Sequence, residues 1–231
     1  MTKRALNFGA GPATLPVEVL TESQAALLSF AGTGAGVLEI SHRSKEWVDY
    51  QAETEQRIRR LAGAGDEWAV LFLPGGASLQ FHMVPRNLGT GGDYVVTGIW
   101  SEKALEEAQR LGPARVAGTS AATAHDRIPA VDARPDAAYL HVTSNNTVYG
   151  TQWPDLPASK APLVVDASSD IFSRPLPLER CAPVYAGAQK NLGPAGVTLV
   201  LVRRALLERS KGANLPPMLD YAVQEIGRAH V

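Results

Sequence analysis

Lys190 is the residue in this chain with the surroundings for covalent chemistry. It stands in Tyr185-Ala186-Gly187-Ala188-Gln189-Lys190-Asn191-Leu192-Gly193-Pro194-Ala195-Gly196. Among small, glycine-rich neighbours a lysine amine can act as a nucleophile or Schiff-base former; the competing reading is a lysine that snorkels to water. Asp166 follows the apolar run Leu163–Val165. A carboxylate there is costly to bury unless paired. It reads either as a cap or as a fixed negative charge facing a cationic ligand nitrogen. Pro74-Gly75-Gly76-Ala77-Ser78 follows another apolar run and precedes a helical pattern. Glycines let the backbone approach an anion, and a helix N-terminus offers free N–H groups. No Gly-Lys-Ser/Thr follows, so this is not a Walker A loop; a plain tight turn is the alternative. Trp100 is either a core plug or a flat face for an aromatic ligand. Ser144–Gln152 is dense in hydrogen-bonding side chains, and by itself reads as a turn-rich surface loop.

Two alternating hydrophobic periods supply the elements that must position these residues. Val17–Phe30 predicts a helix in which Val17, Leu20, Leu27 and Leu28 share an apolar side. Lys45–Ala62 predicts a second, with acidic residues early and arginines late, as the helix dipole favours, and Gly63 as its stop. The runs Trp68–Leu73, Tyr94–Ile99, Ala137–Thr143, Leu163–Ala167 and Val197–Val202 are continuously apolar, the pattern of strands buried on both faces. Helices are predicted at Ser78–Leu88 and Ser101–Leu111, the latter with Ser101 as N-cap. This alternation argues for an α/β domain with a largely parallel sheet. Ligands in such sheets sit beyond the carboxyl ends of the strands, which is where the chemistry-bearing residues fall.

The 231 residues suit one large domain, or one domain and part of a second, at ~150 residues per domain. With 45% hydrophobic and 19% charged residues, intrinsic disorder is excluded as the main state. A net charge of −1 carries no basic footprint, so no nucleic-acid partner is expected. No apolar run approaches the ~20 residues of a membrane span, and the N-terminus shows no secretory signal. Cys181 is the one cysteine, which excludes an internal disulfide and makes a cytoplasmic location the default.

A phosphate cradle, an aromatic face, a carboxylate for a ring nitrogen and a lysine amine together are what pyridoxal 5'-phosphate requires. The sequence resembles the phosphoserine aminotransferase family, class V aminotransferases of fold type I. The resemblance lies in Asn7–Pro16, Ser41-His42-Arg43-Ser44, Gly75–Phe81, Ser144–Gln152, Asp166-Ala167-Ser168-Ser169 and Gly187–Gly196, and runs from about Leu6 to Gln224. It implies a seven-stranded, mainly parallel sheet between helices: the large domain of these enzymes, spanning 16–224 after an N-terminal segment, 1–15. By the same resemblance Lys190 is the Schiff-base lysine and Asp166 the pyridinium partner. Trp100 stacks on the ring, Gly76, Ala77, Ser78 and Gln189 hold the phosphate, and Thr147 hydrogen-bonds the cofactor. His42 and Arg43 meet the substrate's anionic groups. The implied reaction moves an amino group between L-glutamate and 3-phosphohydroxypyruvate, giving O-phospho-L-serine and 2-oxoglutarate, in a cytoplasmic homodimer of serine and pyridoxine biosynthesis.

The sequence departs from the family at its end. An Asn-Thr pair expected roughly fifteen residues beyond Tyr221, later substrate-binding arginines and most of a smaller C-terminal domain do not appear in it. Glu225–Val231 does not read as family sequence and matches the translation of a common sequencing adapter, so residues 225–231 are expected to be a non-native tail. The alternatives are an inactive, truncated fragment that binds the cofactor, or another relative of the fold such as an alanine–glyoxylate aminotransferase or a cysteine desulfurase. A desulfurase needs a mobile nucleophilic cysteine, and Cys181, between Arg180 and Ala182-Pro183, reads as structural.

Overall fold

Strands that are apolar on both sides need cover on both sides, and the chain supplies it. The computed structural model describes residues 4–210 and 214–227. In chain order the elements are α1 Val17–Leu28, α2 Lys45–Ala62, β1 Trp68–Leu73, α3 Gly76–Leu88, β2 Asp93–Val96, α4 Ile99–Leu111, β3 Arg115–Thr119 and β4 Leu140–Thr143. There follow β5 Asn145–Asn146, β6 Thr151–Gln152, β7 Leu163–Asp166, β8 Cys181–Gly187, β9 Thr198–Arg203, α5 Arg204–Ser210 and α6 Tyr221–Gly227. Seven strands form one sheet in the order β1-β9-β8-β7-β4-β2-β3, while β5 and β6 make a separate hairpin. Strand β9 runs antiparallel to β1 and β8; the other pairings in the sheet are parallel.

One face of the sheet packs under α3 to α6 through Phe81, Met83, Leu105, Leu206 and Tyr221. The other is covered by Ile58 and Ala62 of α2 and by loop residues Trp153, Leu156, Ile171 and Leu178. Helix α2 has its predicted limits. The Ser44 hydroxyl accepts the Trp47 N–H at its start, and Gly63 closes it with a φ of 67°.

Several predicted boundaries move. Strand β2 stops at Val96 because the Thr97-Gly98 turn starts α4 at Ile99, which puts Trp100 in the first turn of the helix. Ser101 is therefore not the N-cap. Its hydroxyl reaches back to accept the N–H groups of Thr97 and Gly98, at 2.9 and 3.1 Å. Helix α3 begins two residues before the predicted Ser78. Strands β3 and β8 were not predicted. The first is a partly exposed edge strand containing Gly118, and the second carries Pro183, which counts against a strand in sequence. The predicted apolar side of α1 is not buried: Val17, Leu20, Leu27 and Leu28 are 42–77% exposed. Residues 225–227 of the expected tail complete α6, with Glu225 ion-paired to Arg204; residues 228–231 lie outside the described residues.

The start of the parallel region is tied by a buried charge. Asp93 is wholly buried at the start of β2. Arg115 and Arg134 donate to its carboxylate at 2.8 and 2.7 Å, and the Arg134 N–H adds another 2.7 Å bond. Burial pushes this carboxyl upward, but the two guanidinium groups outweigh it and hold the pKa at about 2. A carboxyl depressed in the folded state stabilises above its unfolded pKa, and that stability is lost as pH falls through about 2. The shift corresponds to about 2 kcal/mol. Asp93→Asn is expected to cost about 3 kcal/mol at pH 7, since it also leaves the arginines without their anion. Denaturant melts of parent and variant should differ at pH 7 and converge toward pH 2. Equal stability at pH 7 would remove the buried pair from the account.

Candidate active site

The parallel strands β2, β4, β7 and β8 end along one edge of the sheet, as does β1, which points the same way because both it and β8 run antiparallel to β9. Beyond β1 the chain turns through Gly75 and Gly76, with φ of 86° and 66°. This left-handed backbone favours glycine, and a Cβ on Gly75 would lie 2.6 Å from the Leu79 side chain. The turn delivers the chain into α3 without a side-chain cap. The Leu79 N–H bonds back to the Gly75 carbonyl at 3.3 Å, so the N–H groups of Gly76, Ala77 and Ser78 have no partner in their own helix. These three residues face a cavity of about 130 Å³. Its wall is thus a helix N-terminus, which attracts anions.

Trp100, Asp166, Gln189 and Lys190 line the same cavity. The Lys190 ammonium lies 5.4 Å from the centroid of the Trp100 ring and donates to the Thr147 hydroxyl at 3.4 Å. Thr147 is held by the β5–β6 hairpin, which is locked onto the β2–α4 turn: Asn146 donates to the Thr97 carbonyl. That contact requires Gly98, because a Cβ there would fall 1.5 Å from the Asn146 amide nitrogen. The N-terminal segment passes over the lysine loop. The Ala13 N–H donates to the Gln189 carbonyl at 2.7 Å, and Gly11 packs beside Lys190.

Asp166 ends β7 and is 4% exposed. Burial raises its carboxyl pKa above the ordinary range; hydrogen bonding from Ser168, whose N–H lies 3.0 Å from Oδ1, and the charge of Lys190 pull the other way without overcoming it. Such a carboxylate is relieved by a cation placed against it. The cavity therefore combines an anion site, an aromatic face, an amine and a buried carboxylate that favours a cationic partner.

The structure brings together seven of the residues singled out in sequence and sets Thr147 against Lys190. His42 and Arg43 are not brought in. They stand exposed on the turn before α2, outside the cavity lining, where the Arg43 N–H bonds to the Ser41 hydroxyl. Thr143, Asn145, Ser168 and Ser169 also line the cavity and were not singled out. Their signal was positional: each lies at or just beyond the carboxyl end of β4 or β7.

Comparison with known proteins bears on the same arrangement. The model of the family "Aminotransferase class-V" matches residues 5–216. The chain belongs to this family. Among class-V aminotransferases, it is 51% identical to the phosphoserine aminotransferase of Geobacillus kaustophilus, across 96% of the chain and 63% of the relative. It is 49% identical to that of Halalkalibacterium halodurans, across 95% and 62%. A phosphoserine aminotransferase studied for radiation damage of its Schiff base superposes with a TM-score of 0.94 at 45% identity, over 99% of this chain and 65% of that one. A PLP-bound phosphoserine aminotransferase from Trichomonas vaginalis does so with a TM-score of 0.90 at 37% identity, over 97% and 65%. The fold is thus the fold-type I arrangement that the resemblance implied. The chain spans about 63% of the length of the curated relatives it matches.

Proposed function

We propose that this class-V aminotransferase binds pyridoxal 5'-phosphate and moves an amino group between L-glutamate and 3-phosphohydroxypyruvate, as a phosphoserine aminotransferase. The observation that carries the reading is the single cavity that joins Lys190, Asp166, Trp100 and the uncapped start of α3. The relatives near 50% identity support the choice of substrates. Gly76, Ala77, Ser78 and Gln189 would hold the phosphate, Trp100 would stack on the ring, Thr147 would hydrogen-bond the cofactor and Asp166 would face the ring nitrogen. Pyridoxal phosphate, when bound, supplies the electron sink for loss of the substrate's α-proton. Asp166, ionised and dry, holds the proton on the ring nitrogen. Lys190 would be the covalent anchor, and its freed amine would take the proton from the substrate Cα as base and deliver it to the C4' carbon of the cofactor as acid. His42 and Arg43 lie outside the cavity of their own chain, so they would reach the substrate's anionic groups only from the second subunit of the homodimer; an arginine can pair with a carboxylate or phosphate through two parallel bonds. The active unit is a cytoplasmic homodimer serving serine and pyridoxine biosynthesis. Residues 1–15 form an N-terminal segment and 16–224 the cofactor domain.

Cys181 weighs against a desulfurase. It is buried at the start of β8, at the far end of the strand from the lysine loop, and burial pushes its thiol up to about 12. Such a thiol is inert at neutral pH. The test is amino transfer from glutamate to 3-phosphohydroxypyruvate, compared with pyruvate as acceptor and with sulfur release from cysteine. Preference for the phosphorylated acceptor is expected; preference for either alternative would overturn the assignment.

A further inference from the structure

We propose that Asp170 is a positioning residue for the cavity: its buried carboxylate clamps the β5–β6 hairpin onto the turn that follows Asp166, and so holds Thr147 against Lys190. This deepens the proposed function and rests on the cavity being the pyridoxal phosphate site. Asp170 is 8% exposed and lies outside the cavity lining. Its own N–H and that of Ile171 donate to the Ala167 carbonyl, at 3.2 and 2.8 Å, which fixes it in the turn beyond β7.

Both sides of the hairpin's base converge on this carboxylate. The Ser144 hydroxyl, just before β5, donates to Oδ1, and the Gln152 amide, at the end of β6, donates to Oδ2 at 3.0 Å. The Ser144 hydroxyl is also 3.0 Å from the Asp166 carbonyl, but that oxygen already accepts the Ser144 N–H at 2.9 Å, and the carboxylate is the nearer acceptor. Ser169 adds a second tie: its hydroxyl donates to the Asn145 carbonyl and accepts from the Asn145 amide, both at 2.9 Å. Arg174 lies 3.9 Å from Oδ2 and donates to the Trp153 and Pro154 carbonyls, so it offsets the buried charge and grips the chain leaving β6. An ionised carboxylate only accepts, so it can take a bond from each side of the hairpin at once; an amide turns a donor toward one of them. Thr147 lies in the tip between β5 and β6, where the Lys190 ammonium donates to its hydroxyl. The clamp at the base thus governs where that hydroxyl stands.

The charge of Asp170 opposes ionisation of Asp166. Removing it eases that ionisation and by itself favours a cationic ligand nitrogen. A fall in affinity on removing Asp170 therefore reports lost geometry, not lost charge.

Asp170→Ala removes both hairpin bonds; Gln152→Ala, at an exposed position, removes one and spares the turn. The Gly150 and Trp153 N–H groups close the hairpin onto the Asn146 and Ser144 carbonyls. In the ligand-free protein their hydrogen exchange should quicken about tenfold in Asp170→Ala and about threefold in Gln152→Ala. Affinity for pyridoxal phosphate, read by quenching of tryptophan fluorescence, should fall about tenfold in Asp170→Ala. Combined with Thr147→Val, the loss should be no greater than that of the worse single variant. Unchanged exchange overturns the clamp, and should Asp170→Ala not fold, Gln152→Ala decides this alone. Losses that multiply in the double variant overturn the route through Thr147. If the parent protein takes up no pyridoxal phosphate, the proposed function fails, while exchange in the ligand-free protein still decides whether Asp170 holds the hairpin.

Discussion

Replacing Lys190 with alanine is expected to abolish amino transfer and covalent retention of pyridoxal phosphate while leaving the fold intact. The side chain is half-buried and its recorded hydrogen bond is the 3.4 Å contact to Thr147, so little packing is lost. The chemical loss is far larger. General acid–base catalysis by a placed side chain is worth about 10²–10⁴ in rate, and the covalent role is lost with it. No other lysine among the described residues lines the cavity. The nearest rival is Lys103, whose ammonium lies 4.9 Å from the Trp100 centroid, but it is exposed on α4 and outside the lining. Borohydride reduction of the loaded protein, followed by peptide mass spectrometry, should place the label on Lys190. A label on Lys103 or Lys160, or turnover in Lys190→Ala within tenfold of the parent, would refute the role given to this amine.

The sequence was most informative where one physical demand acted alone. A strand buried on both faces must be apolar throughout, so β1 was legible to the residue and β7 and β9 to within one residue at each end. The start of α3 was harder: in sequence Gly75-Gly76 serves equally as turn or helix entry, and only the fold shows α3 beginning at Gly76. Strand β8 was hidden by Pro183, and the apolar side that the spacing gives α1 stays exposed. In the cavity, residues with distinctive chemistry announced themselves. Lys190 and Asp166 are unusual at their positions, whereas Thr143 becomes notable only when strand register sets it opposite Asp166, and Ser168 only when the turn after β7 brings its N–H back to that carboxylate. His42 and Arg43 were reached through resemblance, and within this chain their turn lies away from the cavity.

Asp166→Asn should separate stability from chemistry, raising one while destroying the other. Burial lifts the Asp166 carboxyl above its ordinary range. A group whose folded pKa is raised contributes its full stability only below the unfolded pKa, and loses it as pH rises through the folded value. At neutral pH the ligand-free protein therefore carries a penalty that an amide of the same shape lacks. The variant should melt higher at pH 7, by an amount on the order of 1 kcal/mol, and the gap should narrow as pH falls and the parent's carboxyl takes up a proton. Saturating pyridoxal phosphate should reverse the ranking. Ligand binding stabilises the parent by mass action, whereas an amide carries no charge to hold a cationic ring nitrogen. Breaking a buried charge pair costs about 3–5 kcal/mol, so amino transfer should fall by roughly three orders of magnitude at ~1.4 kcal/mol per tenfold. Thermal melts at pH 4 and pH 7, with and without pyridoxal phosphate, together with one rate measurement, test every part of this. A ligand-free variant less stable than the parent at pH 7 would mean that Asp166 is a structural carboxylate satisfied by its neighbours. Near-parental turnover would remove it from the reaction.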